Sequence, residues 1–412
     1  LKSQQIKKFP KHINHAYVML TEMCPLDCTY CYIEDRVSDN NVSLKDVDTL
    51  INNFSCENPR IIFFGGEPLV KLDLLREIVE KYKDTCQFQV ITSGLVNFEK
   101  FADSIYKKYP TKFDIQISWD GVESKTRPLR SGVDRQSTVK DIIEYYISKG
   151  MRIQPRCVIN DDNVAYLYNT YKQFKHWHKT YNRCTGDFTI AHQPRFDISF
   201  SSIFKAQLKL ILEDIREDLS KGEVPYIPQD YQQKMNAVLS DRKVSSCDAG
   251  NYIVLKPNGH IYPCTILSQK SASNGISFDM GHIQHNEYDW TPADSLRNPY
   301  PKKSCEGCAW TSICDGGCRY ERVVNYGKDW QDTLCPHICS NSEVFFSVFT
   351  DWFKSLKSEE YNLLLNKLTN FYNWAMHYDM ASHKEANKYR VSLEDDKDLN
   401  KVASFNRHTN YG

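Results

Sequence analysis

Short apolar runs alternate with amphipathic stretches from residue 15 to about residue 200. Runs at 16–20, 60–64, 88–92, 113–118, 153–159 and 188–191 are rich in branched and aromatic residues and read as strands. Between them, stretches such as 69–83 and 137–149 place apolar residues at helical spacing. Strand–helix alternation of this kind predicts an α/β fold with a parallel sheet. About six βα units are too few to close an eight-fold barrel, so the expectation is an open, partial (β/α)6 TIM-like barrel.

Beyond the sheet the pattern changes. Residues 203–240 read as helical with a turn at 221–228. Residues 247–339 are rich in Cys, Gly and Pro, which predicts a small separate domain organised by metal. Helical spacing returns at 341–357 and 358–380, with the aromatics Phe345, Phe346, Phe349, Trp352 and Phe353, then Tyr361, Phe371, Tyr372 and Trp374. That stripe is expected to pack against the barrel; a partner-binding groove is the alternative. Residues 381–412 are polar. The organisation is thus an N-terminal segment 1–14, a barrel with bridging helices 15–240, a cysteine-rich domain 241–340 and a helical extension 341–412.

In parallel sheets the functional loops lie beyond the C-terminal strand ends. Polar and glycine-rich segments fall at those places. A cysteine loop follows the first strand, Gly65-Gly66-Glu67-Pro68 the second and Thr92-Ser93-Gly94 the third. Ser118-Trp119-Asp120-Gly121 ends the fourth, Asn160 follows the fifth, and His192-Gln193 follow the sixth, with Arg195 just beyond. His192, Gln193 and Arg195 are candidates to face a substrate, or else belong to a satisfied rim network.

Charge narrows the class. With 52 basic and 52 acidic residues the net charge is zero, which argues against a nucleic-acid partner. No run of about 18 apolar residues is present, so no membrane partner is expected. Residues 1–10 are polar and basic, unlike a signal peptide, which points to a cytoplasmic protein. The 15 cysteines are then expected to bind metal rather than form disulfides. Cys56, Cys86, Cys157 and Cys184 fall in helix or strand patterns and read as core or incidental residues.

Cys24, Cys28 and Cys31 are spaced by three and then two residues. Three thiolates can hold three corners of an iron–sulfur cube, whereas a closed cluster takes four cysteines. The missing ligand implies a cluster that binds something else. The competing reading is a partial zinc knuckle.

The loop Cys24-x3-Cys28-x2-Cys31, with Tyr30 before the third cysteine, resembles the signature of radical S-adenosylmethionine (SAM) enzymes. The resemblance implies a 4Fe–4S cluster on these cysteines and SAM on the open iron. It also implies a 5′-deoxyadenosyl radical that takes hydrogen from a substrate carbon. Gly65-Gly66-Glu67-Pro68 resembles the family's glycine-glycine-glutamate motif, with the Glu67 carboxylate expected to accept from the cofactor ammonium. Ser118 and Asp120 resemble the residues that end strand four in many relatives, the serine reaching the cofactor ribose; Asp120 could instead serve the turn at Gly121. Ser93 stands where many relatives have asparagine. With Tyr30 and Asn160 it completes the cofactor-binding candidates. Arg127, Arg130, Arg135 and Arg156 are candidates for the cofactor carboxylate.

Downstream, Cys247, Gly259-x4-Cys264, Cys305-x2-Cys308-x5-Cys314-x3-Cys318 and Cys335 resemble the SPASM extension of peptide and protein maturases. That resemblance implies Cys305, Cys308, Cys314 and Cys335 around one auxiliary cluster and Cys247, Cys264 and Cys318 around the other, making three 4Fe–4S clusters in all. A zinc ribbon is the alternative. Fully ligated relatives carry one more cysteine shortly before the first; residues 242–246 have none, and Cys339 is a candidate outside ligand.

Most relatives with this extension oxidatively modify or crosslink a ribosomally made precursor peptide, with reduced flavodoxin or ferredoxin as electron donor. A sulfatase-maturing enzyme is the second reading, although those relatives carry an aspartate where this chain has Thr265. Small-molecule alcohol oxidation is a third. An electron carrier or zinc scaffold is the non-enzyme reading. About fifteen residues precede the first strand, so any leader peptide is expected to bind the rim, the cysteine-rich domain or the C-terminal helices.

Overall fold

The computed structural model describes residues 8–381 apart from 182–183, 193–195, 242–246, 270–273, 286, 298–304, 315 and 334–335, with backbone alone at 336–339 and 370–381. The first half runs β1 (His15–Thr21), α1 (Leu44–Asn53), β2 (Arg60–Gly65), α2 (Leu72–Tyr82), β3 (Gln87–Thr92), α3 (Phe98–Phe101), β4 (Phe113–Ser118), α4 (Gln136–Ser148), β5 (Gln154–Ile159), α5 (Leu167–Tyr181) and β6 (Asp187–Ile190). Then come α6 (Phe200–Ser220), α7 (Gln229–Ser240), β7 (Ile253–Leu255), β8 (Ile261–Tyr262), α8 (Thr291–Arg297), α9 (Arg319–Tyr326), α10 (Pro336–Ser355) and α11 (Ser358–Ala381).

One open sheet holds the strands in the order β6-β5-β4-β3-β2-β1-β7-β8. All neighbours are parallel except β7 and β8, which form an antiparallel hairpin. The parallel α/β expectation matches. The hairpin is the difference: β7 pairs Ile253, Val254 and Leu255 with Ala16, Tyr17 and Val18, so the sheet continues into the segment expected to stand apart. No helix among the described residues is long and apolar enough to cross a membrane.

The period of two along each strand sorts its side chains between two cores. Ala16, Val18 and Leu20 join Ile61, Phe63, Phe88 and Val90 in the large core under the helices. Tyr17 and Met19 point to the other face, with Phe64, Ile91, Ile33, Tyr252 and Val254, and Cys31 packs there too. Strand β1 therefore fixes both the barrel core and the floor beneath the cysteine loop. Each fully buried large side chain contributes about 1.5–3 kcal/mol.

The aromatic stripe reaches the barrel indirectly. Phe188 of β6 stacks on Tyr231 of α7 with ring centres 5.7 Å apart. Tyr231 in turn meets Phe345 of α10 at 5.4 Å. Phe346 packs with Trp310, Ile313 and Cys314, so α10 also braces the cysteine-rich segment. Phe371, Tyr372 and Trp374 fall on α11 where only the backbone is described, and 382–412 lies outside the described residues. Cys86, Cys157 and Cys184 are buried core residues and Cys56 is half-buried.

Candidate active site

The cysteine loop leaves β1 at Thr21 and is clamped from two sides. On one side the turn after β2 reaches over: the Gly66 N–H donates to Thr21 O and the Glu67 N–H to Met23 O, both at 2.8 Å. Gly65 sits at φ +139°, and a Cβ there would lie 2.3 Å from Thr21 O. A Cβ on Gly66 would lie 2.2 Å from Met23 O and 2.3 Å from Glu22 O. Both glycines thus admit the backbone of the cysteine loop itself, a closer approach than the ligand contact expected of them.

On the other side stands the loop after β4. The Asp27 N–H donates to Pro128 O (2.8 Å) and the Thr29 N–H to Thr126 O (2.9 Å). Arg130 returns two bonds, its backbone N–H to Pro25 O and its Nε to Cys24 O, both 2.9 Å. Cys24, Cys28 and Cys31 emerge as half-buried free thiols. Burial pushes the Cys24 thiol up to about 12 and raises Cys28 as well, so iron must displace their protons. Three unpaired thiols held by backbone bonds rather than by one another fit a cluster that uses three protein ligands.

Glu67 is 1% exposed, and its carboxylate is already committed. Oε1 accepts from the Leu69 N–H (3.1 Å) and Thr92 Oγ1 (2.7 Å). Oε2 accepts from the Ser93 N–H (2.8 Å) and Ser93 Oγ (2.6 Å). Four donors use the four lone-pair sites of a carboxylate, leaving none for a cofactor ammonium. Glu67 therefore ties the end of β3 to the turn after β2. Ser93 and Thr92 serve that carboxylate, and Pro68 begins the single 3-10 turn that Glu67 caps. Burial raises the Glu67 carboxyl above its ordinary range, against the pull of Ser93, Thr92 and Leu69.

A second buried network lies at the end of β4. Tyr30 Oη donates to Asp120 Oδ2 (2.6 Å) and accepts from Arg127 Nη1 (2.7 Å). Asp120, 1% exposed, also accepts from Thr126 Oγ1 (2.6 Å) and the Val158 N–H (2.9 Å). Tyr30 and Asp120, expected at the cofactor, thus bond to each other and lock the cysteine loop to β4 and β5. Ser118 is half-buried and its hydroxyl has no bond within the described protein, which leaves it available to a ligand. Asn160 is 3% exposed, accepts from the Asp162 N–H and reaches Thr29 Oγ1 at 3.4 Å.

Of the arginine candidates, Arg127 serves Tyr30, Arg130 serves Cys24, Arg156 pairs with Asp187, and Arg135 lies exposed at the start of α4. The Tyr30–Arg127–Asp120 link was not anticipated, although all three residue types stood in motifs already singled out.

His192, at the end of β6, meets the cysteine-rich segment instead of an open rim. Its Nδ1 lies 3.4 Å from Oε1 of Glu321, in the first turn of α9. His192, Glu321 and Cys318 bring their ligand atoms within 4.8 Å of one another, the one such group of three among the described residues. Burial works against protonation of His192, but Glu321, with Cys247 and Cys264, raises the imidazole above its ordinary value. Cys264 and Cys318 are themselves pushed up to about 12 by burial. In the other set, the Gly316 N–H points at Cys314 Sγ (3.4 Å), and Thr311 Oγ1 ties Cys305 O to Cys308 O. Cys335, Gln193 and Arg195 lie outside the described residues, as does the Cys339 side chain.

Residues 18–173 match the model of the radical SAM superfamily. These residues therefore form a radical SAM domain. The chain is an enzyme of SAM radical chemistry, binding SAM and the superfamily's iron–sulfur cluster. A cysteine-type anaerobic sulfatase-maturating enzyme of Clostridium novyi is 21% identical over 355 residues, covering 78% of this chain and 91% of that one. An uncharacterised protein of Methanocaldococcus jannaschii is 28% identical over 166 residues; the match spans 38% of this chain and 56% of that one. Among solved structures, anSMEcpe with bound AdoMet and Cp18Cys peptide superposes with TM-score 0.66 at 18% identity, covering 86% of this chain and 99% of that one. SuiB of Streptococcus suis bound to precursor peptide SuiA superposes with TM-score 0.54 at 15% identity, covering 79% and 76%. These two likenesses speak for the fold alone.

Proposed function

We propose that this radical SAM enzyme carries two auxiliary 4Fe–4S clusters and oxidatively modifies or crosslinks a ribosomally made peptide. The observation that carries the reading is the position of Tyr32. Its side chain packs into the cluster of residues around Cys31 and also into the one around Cys247 and Cys264. Its hydroxyl faces the side chain of Thr265, the neighbour of Cys264. The radical-forming loop and the first auxiliary cysteine set therefore share one wall.

When bound, SAM and its cluster supply the 5′-deoxyadenosyl radical that takes hydrogen from a substrate carbon. The chain's own residues do the holding. Cys24, Cys28 and Cys31 would ligate the radical-forming cluster; Gly65, Gly66 and Glu67 fix the loop that carries them. Ser118 offers the free hydroxyl at the rim. Removing a hydrogen atom and then an electron oxidises the substrate, and cluster potentials spanning about −700 to +450 mV allow an auxiliary cluster to accept that electron. Reduced flavodoxin or ferredoxin would supply the first electron.

Peptide substrates are supported by the fold likeness to two enzymes solved with peptides. The sulfatase-maturating reading is favoured by the long alignment with the Clostridium novyi relative. Against it stands Thr265, wedged against Tyr32 and Tyr252, where those relatives are expected to place an aspartate base.

The test is anaerobic reconstitution of the full chain followed by iron analysis and assay with reductant and SAM. Three clusters predict about twelve irons per chain. The C24A/C28A/C31A variant should lose about four and form no 5′-deoxyadenosine. A crosslinked peptide supports the proposal, and a carbonyl product from a cysteine peptide supports the maturase reading. Stoichiometric zinc with little iron would sink both.

A further inference from the structure

We propose that His192 is the fourth protein ligand of the first auxiliary cluster, completing the set Cys247, Cys264 and Cys318. This rests on the reading that those three cysteines hold a cluster. They leave one iron without a cysteine, because residues 242–246 contain none.

The chain fills that gap from the opposite direction. His192 follows β6, whereas Cys318 is the residue before α9, and the fold brings the two together across the sheet rim. Their ligand atoms and that of Glu321 lie within 4.8 Å of one another. In a cluster held by Cys318, the iron that no cysteine ligates would then lie on the side of the His192 imidazole. Glu321 supplies the orienting contact. It is 5% exposed, and its Oε1 faces His192 Nδ1 at 3.4 Å. A carboxylate that takes the Nδ1 proton fixes the tautomer and directs the Nε2 lone pair outward, the arrangement that metal-bound histidines commonly show. Nε2 has no hydrogen bond within the described protein. Imidazole is an established ligand to cluster iron and raises the potential relative to thiolate. A higher potential suits a cluster that accepts an electron from an oxidised substrate.

The experiment uses the full chain with C24A/C28A/C31A, reconstituted anaerobically without SAM so that no cofactor nitrogen contributes. Pulsed electron paramagnetic resonance of the reduced protein should show strong nitrogen hyperfine coupling, and H192A should remove it. H192C should retain the cluster, lose the coupling and lower the midpoint potential. A cluster present with no coupled nitrogen overturns the assignment. So does one zinc per chain that His192, Cys318 and Glu321 alone retain. If C264A removes no iron from this background, the auxiliary-cluster reading itself has failed, and the ligand assignment falls with it.

Discussion

The backbone N–H of Glu67 donates to the carbonyl of Met23 at 2.8 Å, one residue before the first cysteine of the loop. The glycine-glycine-glutamate turn therefore grips the protein's own cysteine loop. This gives the turn a role before any cofactor binds, since it sets where the three thiols stand.

Gly66→Ala tests that grip. Its Cβ would sit 2.2 Å from Met23 O, a contact that only backbone movement relieves. The variant should keep the fold of the large core but lose radical-cluster iron, about four of the bound irons, and with it SAM cleavage. Iron analysis with circular dichroism reads both. Full iron and wild-type cleavage would show that the turn does not position the loop.

Glu67 itself predicts a stability effect with a definite pH sign. Glu67→Gln presents an amide to four donors, and leaving buried N–H groups poorly paired costs about 1–3 kcal/mol. Burial raises the Glu67 carboxyl in the folded state, so the folded chain binds that proton more tightly than the unfolded one. Its contribution is fully present below the ordinary 4.5 and is lost as pH rises through the raised value. Chemical denaturation of apo wild type and Glu67→Gln across that range should show wild type losing more stability with rising pH. An unchanged difference would mean the carboxyl is not shifted.

Tyr30→Phe removes the hydroxyl between Asp120 and Arg127. Arg127 is 8% exposed and Asp120 1%, so the lost bonds are not replaced freely by water. The expected cost is about 1.5–3 kcal/mol, as for other hydrogen bonds to charged groups. Retained SAM affinity with lowered stability would mark Tyr30 as a brace. Weakened SAM affinity at unchanged stability would restore the direct contact expected from sequence.

Much of this was legible in the residues. The strand runs and the cysteine spacing are local signals, and they placed the rim motifs at strand ends. Glu67 was legible as important but not in its role, because the four donors that occupy it come from Leu69, Thr92 and Ser93 and are a matter of packing. Strands of three and two residues, such as β7 and β8, leave no measurable alternation, so their entry into the main sheet stayed hidden. His192 beside Glu321 is a contact across 129 residues, which no local pattern encodes.

Tyr32 separates structure from electron transfer. Tyr32→Phe keeps the ring between Cys31 and Cys264 and loses only the hydroxyl that faces Thr265, a change of at most about 0.5–1.5 kcal/mol. Tyr32→Ala opens the shared wall, at about 3–5 kcal/mol if Tyr truncation resembles that of other large aromatics. Both variants retain every cysteine, so both should still form 5′-deoxyadenosine. The alanine variant, however, lets water into the space between the two cysteine sets. It should make more 5′-deoxyadenosine per modified peptide, because substrate radicals are quenched before their electron is accepted. The measurement is the ratio of 5′-deoxyadenosine to peptide product, with iron content checked in each variant. An alanine variant with full iron and an unchanged ratio would show that the wall at Tyr32 has no part in coupling the two sites.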